Sequence, residues 1–314
     1  MQRVTLGRTK LNVSVFGLGA GGDSRLGTKT GDLAQSVRIV RSALERGVDF
    51  IDTAEAYGTE EVVGRGIAGW PRDKLVISTK LSTFAHDRAQ PIQLSRDHVV
   101  KSLEASLRRL GTDYVDIYHL HGVRPESYTQ LRDEVVPVLL DLKKQGKFRF
   151  LGLTEAFNAD PAHRTLDLAL RDDLFDVIMV GFNILNQSAR ESVFPRTLKQ
   201  DVGTLIMFAV RRAFSRPDRL RELLQDLAKA GKIPSDLVET GLSFLARDAD
   251  YTSLPDVAYR FVRDEPGAHV VLSGTGNEAH LVENLASLDK SGLDRTTRAR
   301  LVELFRHVDD VSGQ

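Results

Sequence analysis

A closed (β/α)8 barrel of the TIM type is the fold this sequence predicts, and three observations predict it. Eight short apolar runs recur along the chain, amphipathic stretches separate them, and no Pro/Gly/Ser-rich linker divides them. A parallel strand is buried on both faces and needs a crossover helix to reach the next one. Strand–helix units repeated to eight within 314 residues favour closure into one barrel over an open sheet. A single barrel domain over residues 1–314 is therefore expected.

The elements follow in order. Residues 1–14 read as a β-hairpin, "VTLGRTKLNV", with Gly7 in its turn. The barrel strands are expected at Val15–Leu18, Phe50–Asp52, Val76–Thr79, Val115–Tyr118, Phe150–Leu153, Val177–Val180, Thr204–Phe208 and Val270–Ser273. Each is rich in Val, Ile, Leu or Phe, as a doubly buried strand must be. Helical periodicity covers Leu33–Arg46, with Val37, Val40, Ala43 and Leu44 on one face, and Asp97–Leu110, which stops at Gly111. Glu134–Gln145, Ser188–Gln200, Glu278–Leu288 and Arg295–Val308 complete the helical set. Residues 211–256 form a long insertion after strand seven.

Composition narrows the function. Apolar residues make up 41% and charged residues 27%, an ordinary globular balance. Lys plus Arg equal Asp plus Glu at 43 each, so no single-sign field steers nucleic acid or an acidic membrane surface. The chain has no cysteine, which removes disulfides, thiolate nucleophiles and thiolate metal sites. No apolar run approaches the roughly 18 residues a membrane span needs, and the N-terminus alternates polar with apolar residues where a secretory signal would be continuous. A cytoplasmic protein is expected.

Barrels carry their chemistry at the C-terminal ends of the strands. Strand two ends in Asp52, with Tyr57 in the loop beyond it. Strand three ends in Lys80, and strand four, "DYVDIYHLHG", runs to His121. A free phenol has a pKa of about 10 and is a poor acid at neutral pH. An ammonium such as Lys80 beside it favours the phenolate, and Asp52 can hold that ammonium in place. His121 can orient a carbonyl or share the proton. No nucleophile is activated here; the set suits proton donation to an oxygen, with electrons supplied by a cofactor. Taken singly, each residue reads as ordinary strand-end chemistry; four in register do not.

These residues sit in segments that together resemble the aldo-keto reductases: "LGRTKLNVSVFGLGA", "GVDFIDTAEAYG", "LVISTK", "DYVDIYHLH", "GKFRFLGLT", "VGFNILNQSAR" and "VVLSGTGNEAHLVENL". The resemblance runs along nearly the whole chain. It implies a barrel that binds NADP(H) or NAD(H) without a Rossmann fold and reduces a small carbonyl substrate, or oxidises the alcohol. It places the catalytic tetrad on Asp52, Tyr57, Lys80 and His121; the motif selects His121, three residues after Tyr118, over His119. It also leaves a second reading, a nucleotide-binding regulatory barrel with little turnover. A Schiff-base aldolase on Lys80 would explain neither Tyr57 nor the "GTGN" segment.

The cofactor residues implied by the resemblance are Gly19, Thr154, Glu155, Met179, Phe182, Arg211, Arg212, Ser273, Gly274, Thr275, Gly276, Asn277, His280, Glu283 and Asn284. Several depart from the family's pattern. Thr154-Glu155 replaces a Ser-Asn pair whose asparagine holds the nicotinamide carboxamide. Met179 replaces a glutamine, and Phe182 stands in for an aromatic that stacks on the nicotinamide. "AVRRAF" supplies Arg211 and Arg212, whose guanidinium forks suit a pyrophosphate. The "SGTGNEAH" segment lacks the Lys and Arg that grip a 2′-phosphate; the resemblance still favours NADP(H), with NAD(H) the alternative. Gly17, Gly19, Gly21 and Gly22 read as a turn entering the barrel more than as a phosphate loop. Phe84 and His86 are candidates for substrate contact, and Trp70 for packing. Loops 81–96 and 122–131 and the 211–256 insertion are expected to set specificity.

Overall fold

The computed structural model describes residues 1–84, 94–247 and 250–314. A two-stranded antiparallel sheet, β1 (Arg3–Thr5) and β2 (Asn12–Ser14), precedes eight parallel strands. These are β3 (Phe16–Gly19), β4 (Phe50–Asp52), β5 (Val76–Ser82), β6 (Val115–Val123), β7 (Phe148–Glu155), β8 (Val177–Gly181), β9 (Gly203–Met207) and β10 (Val270–Ser273). β10 pairs with both β9 and β3, so the sheet closes into a barrel in chain order. All eight expected strands form; the middle ones run longer than their apolar cores because polar strand ends, such as Lys80 to Ser82 and His119 to Val123, stay in the ladder.

The helices are α1 (Leu33–Glu45), α2 (Glu60–Ile67), α3 (Arg96–Leu110), α4 (Pro125–Gln130), α5 (Val136–Lys144), α6 (Arg164–Asp172), α7 (Ala189–Ser192), α8 (Phe194–Gln200), α9 (Arg212–Ser215), α10 (Pro217–Lys229), α11 (Leu237–Thr240), α12 (Leu254–Arg263), α13 (Glu278–Asp289) and α14 (Arg295–Phe305). Local chemistry sets their ends. Asp32 caps α1 by accepting from Gln35 N at 2.9 Å, and Ser95 caps α3 through His98 N. Gly111 closes α3 in the left-handed conformation, φ +67°.

Two expected helices are broken. Residues 134–145 begin as a π turn, Leu131–Val135, and continue as α5 with Pro137 in its first turn. Ser188–Gln200 splits at Val193 into α7 and α8, because Pro195 begins a new helix. α2, α4, α6 and α12 were not among the expected helices; α12 is buried along most of its length, with its charged residues paired, as in Arg260 donating to Ser291 O. The insertion after strand seven carries α9, α10, α11 and a 3-10 turn, Ser243–Arg247.

Two apolar clusters lie on opposite faces of the barrel wall. The inner one contains Phe50, Val76, Ile117, Val177, Met179, Leu205 and Val270, with Leu6 and Val13 of the hairpin. The hairpin therefore plugs the N-terminal end of the barrel, where Arg8 N also donates to Asp201 O. The outer cluster joins the other strand face to the helices and includes Ile51, Ile77, Leu151, Leu153, Ile178, Val180 and Ile206. Period-two alternation thus gives every strand an inward and an outward parity. Among the described residues no helix is long and apolar enough to cross a membrane.

Candidate active site at the open end of the barrel

Asp52, Lys80 and His121 share the inward parity of Phe50, Val76 and Ile117 on their strands, so all three face the barrel interior above its apolar floor. Lys80 is fully buried. Its Nζ donates to both Asp52 oxygens at 2.7 Å and to Thr53 O at 2.6 Å. An ammonium has three protons, and each has an acceptor here. Ser78 donates to Asp52 Oδ1 at 2.8 Å. Burial alone would pull the Lys80 pKa down; the Asp52 carboxylate and the Tyr57 oxygen outweigh it and hold the ammonium above its ordinary value. Burial pushes the Asp52 carboxyl up, opposed by Lys80 and Ser78.

Tyr57 ends a short 3-10 turn, Glu55–Tyr57, that Gly58 closes at φ +70°. Three contacts fix that turn. Glu55 accepts from Ser82 N at 2.7 Å and from Ser102 Oγ at 2.5 Å, and Arg25 donates to Tyr57 O at 3.1 Å. The Tyr57 ring lies against Gly21, where a Cβ would come within 2.7 Å of it; only glycine admits the ring there. The Lys80 ammonium sits 4.8 Å from the ring centroid. The Tyr57 hydroxyl is 3.4 Å from His121 Nε2, and the two rings meet edge to face at 5.3 Å.

A register shift in the β6–β7 ladder between Leu120 and Val123 places His121. Bulges of this kind re-aim a side chain at the rim of a barrel. The Thr154 hydroxyl secures the shift by accepting from Gly122 N at 2.7 Å. His119 lies one layer deeper, fully buried, with neither ring nitrogen in a hydrogen bond of normal geometry. Burial, then Lys80 and His121, hold its pKa well below the imidazole range, against the nearby Leu153 main chain. It is a neutral interior residue.

The remaining expected residues divide by parity. Gly19, Thr154, Met179 and Gly274 lie on inward positions, and Met179 packs into the apolar floor. Glu155, Phe182 and Ser273 lie on outward ones. The structure therefore does not bring Glu155 or Phe182 to the mouth. Phe182 is fully buried behind the wall against Phe194 and Phe261, at centroid distances of 5.2 and 6.1 Å. The Glu155 carboxylate is buried against His163 Nδ1, at 2.9 and 3.0 Å, and accepts from Gly181 N at 2.8 Å. Burial pushes its pKa up, and His163 and the Gly181 N–H oppose the shift.

The aromatic that does reach the mouth is Phe208. It follows the end of β9, is half-buried, and has φ +68°, which breaks the strand alternation. Arg211 lies over its ring at 3.9 Å and donates to Asn158 Oδ1 at 2.8 Å. Arg212, after β9, pairs with Asp23, after β3, at 2.7 Å, the two strands that flank β10. An aromatic closing strand seven was the available signal for Phe208; its parity pointed outward and concealed it.

Beyond β10, Ser273 Oγ is 2.7 Å from the Tyr259 hydroxyl and accepts from Asn284 Nδ2 at 3.0 Å. Thr275 accepts from Asn277 N at 3.0 Å, and Asn277 caps α13 by accepting from Ala279 N at 2.8 Å. Gly276 packs against Gly27 of the first loop, and its carbonyl accepts from Gln35 Nε2. His280, Glu283 and Asn284 then share one exposed face of α13. Of the other sequence candidates, Phe84 lies 5.0 Å from the Arg124 guanidinium, Trp70 is exposed beside Pro71, and His86 falls outside the described residues.

The aldo/keto reductase family model matches residues 15–305. The chain is 38% identical over 156 residues to the L-galactose dehydrogenase of Arabidopsis thaliana, which is 48% of this chain and 47% of that protein, so this alignment spans about half of each. It is 26% identical over 330 aligned positions to the NADH-specific methylglyoxal reductase of Escherichia coli (strain K12), covering 96% of this chain and 99% of that one. Among solved structures, an aldo-keto reductase from Bacillus halodurans in its holo form has a TM-score of 0.74 at 24% identity, over 97% of this chain and 96% of that one, a likeness of fold.

Proposed function

This chain belongs to the aldo/keto reductase family, and on that premise we propose that it interconverts a small aldehyde or ketone with its alcohol at the mouth formed by β4, β5 and β6. One observation carries the reading. The Tyr57 hydroxyl lies 3.4 Å from His121 Nε2, and its ring lies 4.8 Å from an ammonium whose protons are all engaged. A nicotinamide nucleotide, when bound, supplies the hydride. The chain's own groups handle the proton. Lys80 stabilises the developing phenolate, so Tyr57 can release its proton to the carbonyl oxygen near neutral pH. Asp52 keeps Lys80 charged and aimed. His121 donates to or orients the same oxygen.

The other half of the mouth suits such a cofactor. Phe208 offers a half-buried ring beneath the Arg211 guanidinium, Arg212 brings a second guanidinium, and the Gly274–Asn277 turn runs into the N-terminus of α13. For the choice of dinucleotide, Glu283 lies beside His280 on that helix, while Glu278 turns to Ser42 of α1. A 2′-phosphate at His280 would meet the Glu283 carboxylate, so the reading favours NAD(H) over the NADP(H) expected from sequence resemblance. The E. coli relative, NADH-specific by name, is consistent with this.

The test is a fluorescence titration of the protein with NADH and with NADPH, followed by turnover of simple aldehydes with the tighter one. Binding with turnover supports the reductase. Binding without turnover by any aldehyde would return the regulatory barrel, and no binding of either nucleotide would sink the nicotinamide reading.

A further inference from the structure

Behind the proposed nicotinamide end runs a column of four stacked planar groups. The His163 ring stacks on Phe157 at 5.5 Å and 21°, Phe157 on Phe208 at 6.0 Å and 26°, and the Arg211 guanidinium covers Phe208 at 3.9 Å. The foot of the column is the buried Glu155–His163 pair. An ionised carboxylate only accepts, so His163 Nδ1 carries the proton between them. Glu155 also takes the Gly181 N–H, which ties the end of β7 to the end of β8 and to the start of α6.

Three features accompany the column. Phe157 lies so close to Gly181 that a Cβ there would come within 2.3 Å of the ring. His163 adopts φ +60°, and its Nε2 is buried with no hydrogen-bond partner among the described residues. Phe208, at the far end, also has positive φ. Left-handed backbone at residues other than glycine, and an unpartnered buried nitrogen, both cost stability.

We propose that Glu155 and His163 are positioning residues for the cofactor's nicotinamide end: they hold Phe157, and through it fix the tilt of Phe208 and the place of the Arg211 guanidinium that covers its ring. This rests on reading that mouth as a nicotinamide site. Glu155 then contributes as the anchor of an aromatic platform, with its carboxylate turned away from the cofactor's carboxamide.

The experiment separates the two ends of the nucleotide. The full chain is titrated with NADH and NADPH, and with ADP-ribose, which has the adenosine and diphosphate but no nicotinamide. Glu155→Ala and Phe157→Leu each raise the Kd of the preferred dinucleotide about five-fold or more while ADP-ribose stays within about two-fold. Glu155→Gln, which keeps an acceptor for Gly181 N–H, falls between Glu155→Ala and wild type. A general loosening of the fold would weaken both ligands together. Equal losses for the two, or an unchanged dinucleotide Kd in Phe157→Leu, would overturn the proposal. Phe157→Leu leaves the buried pair intact, so it decides the matter even where Glu155→Ala fails to fold. Wild-type protein that binds ADP-ribose as tightly as it binds either dinucleotide would instead remove the nicotinamide site itself, and the positioning role with it.

Discussion

Two buried acid–base pairs stand at the same end of this barrel, and they face opposite ways. Asp52 and Lys80 occupy inward positions of β4 and β5, open to the mouth through Tyr57. Glu155 occupies an outward position at the end of β7 and meets the buried His163 beside the end of β8. Both carboxylates are almost wholly buried, and both are pushed up by that burial. What separates them is strand parity. An acid one residue further along a strand moves from the chemistry to the scaffold. In the proposed reaction the inward pair serves the proton that Tyr57 gives up, and the outward pair holds the backbone that frames it.

The largest expected effect tests the inward side. Tyr57→Phe removes the hydroxyl and keeps the ring against Gly21, so kcat for carbonyl reduction falls by ~10²–10⁴ while cofactor Kd moves little. Steady-state kinetics with a paired fluorescence titration measures both. Wild-type turnover in this variant would remove Tyr57 as proton donor.

Lys80→Met comes next. It leaves Asp52 buried without its cation, and breaking such a pair costs ~3–5 kcal/mol. The denaturant midpoint drops accordingly, and activity is lost with it. A double variant, Asp52→Asn with Lys80→Met, recovers part of the stability and none of the activity. If the double variant were as unstable as the single one, the loss would not come from an unpaired charge.

Parity also explains how much of this molecule was legible in its sequence. Eight strands, the hairpin, and Tyr57 with the three residues around it are readable because each carries a local signature: a short apolar run, a glycine turn, a polar residue at a strand's end. The cofactor side is harder. Met179 and Phe182 are three residues apart and therefore lie on opposite faces of their strand and the segment that follows it, yet both were expected in one site. Glu155 follows the inward Thr154 and must point out. Phe208 has outward parity but escapes it through a positive φ that no composition announces. The π turn before α5 and the break at Val193 likewise depend on packing and a proline, which periodicity smooths over.

Phe182 and Phe208 give a direct contrast. Phe182→Ala opens a cavity between Phe194 and Phe261 and costs ~3–5 kcal/mol, with cofactor Kd unchanged in the protein that remains folded. Phe208→Ala costs less stability, since the ring is only half-buried, and weakens dinucleotide binding by roughly three- to ten-fold. Thermal melts alongside titrations separate the two. A Phe182 variant that lost cofactor affinity selectively would break the parity argument.

The smallest effect concerns Asp23 and Arg212, whose exposed ion pair joins the segments after β3 and β9 at 2.7 Å. The Arg212 hydrogen bond, outweighing burial, keeps the Asp23 carboxyl below its usual range, so the bridge is charged at neutral pH. Exposed pairs of this kind contribute ~0–1 kcal/mol, so neither Asp23→Ala nor Arg212→Ala shifts the melt by much. Their effects on the cofactor differ in sign. Removing Asp23 frees the guanidinium for a diphosphate and tightens binding by about two-fold; removing Arg212 weakens it by a similar factor. Added salt shrinks both differences, because the Debye length falls to ~3 Å at 1 M. The same sign for the two substitutions would mean that the bridge serves as a strap between those segments, and that Arg212 makes no contact with phosphate.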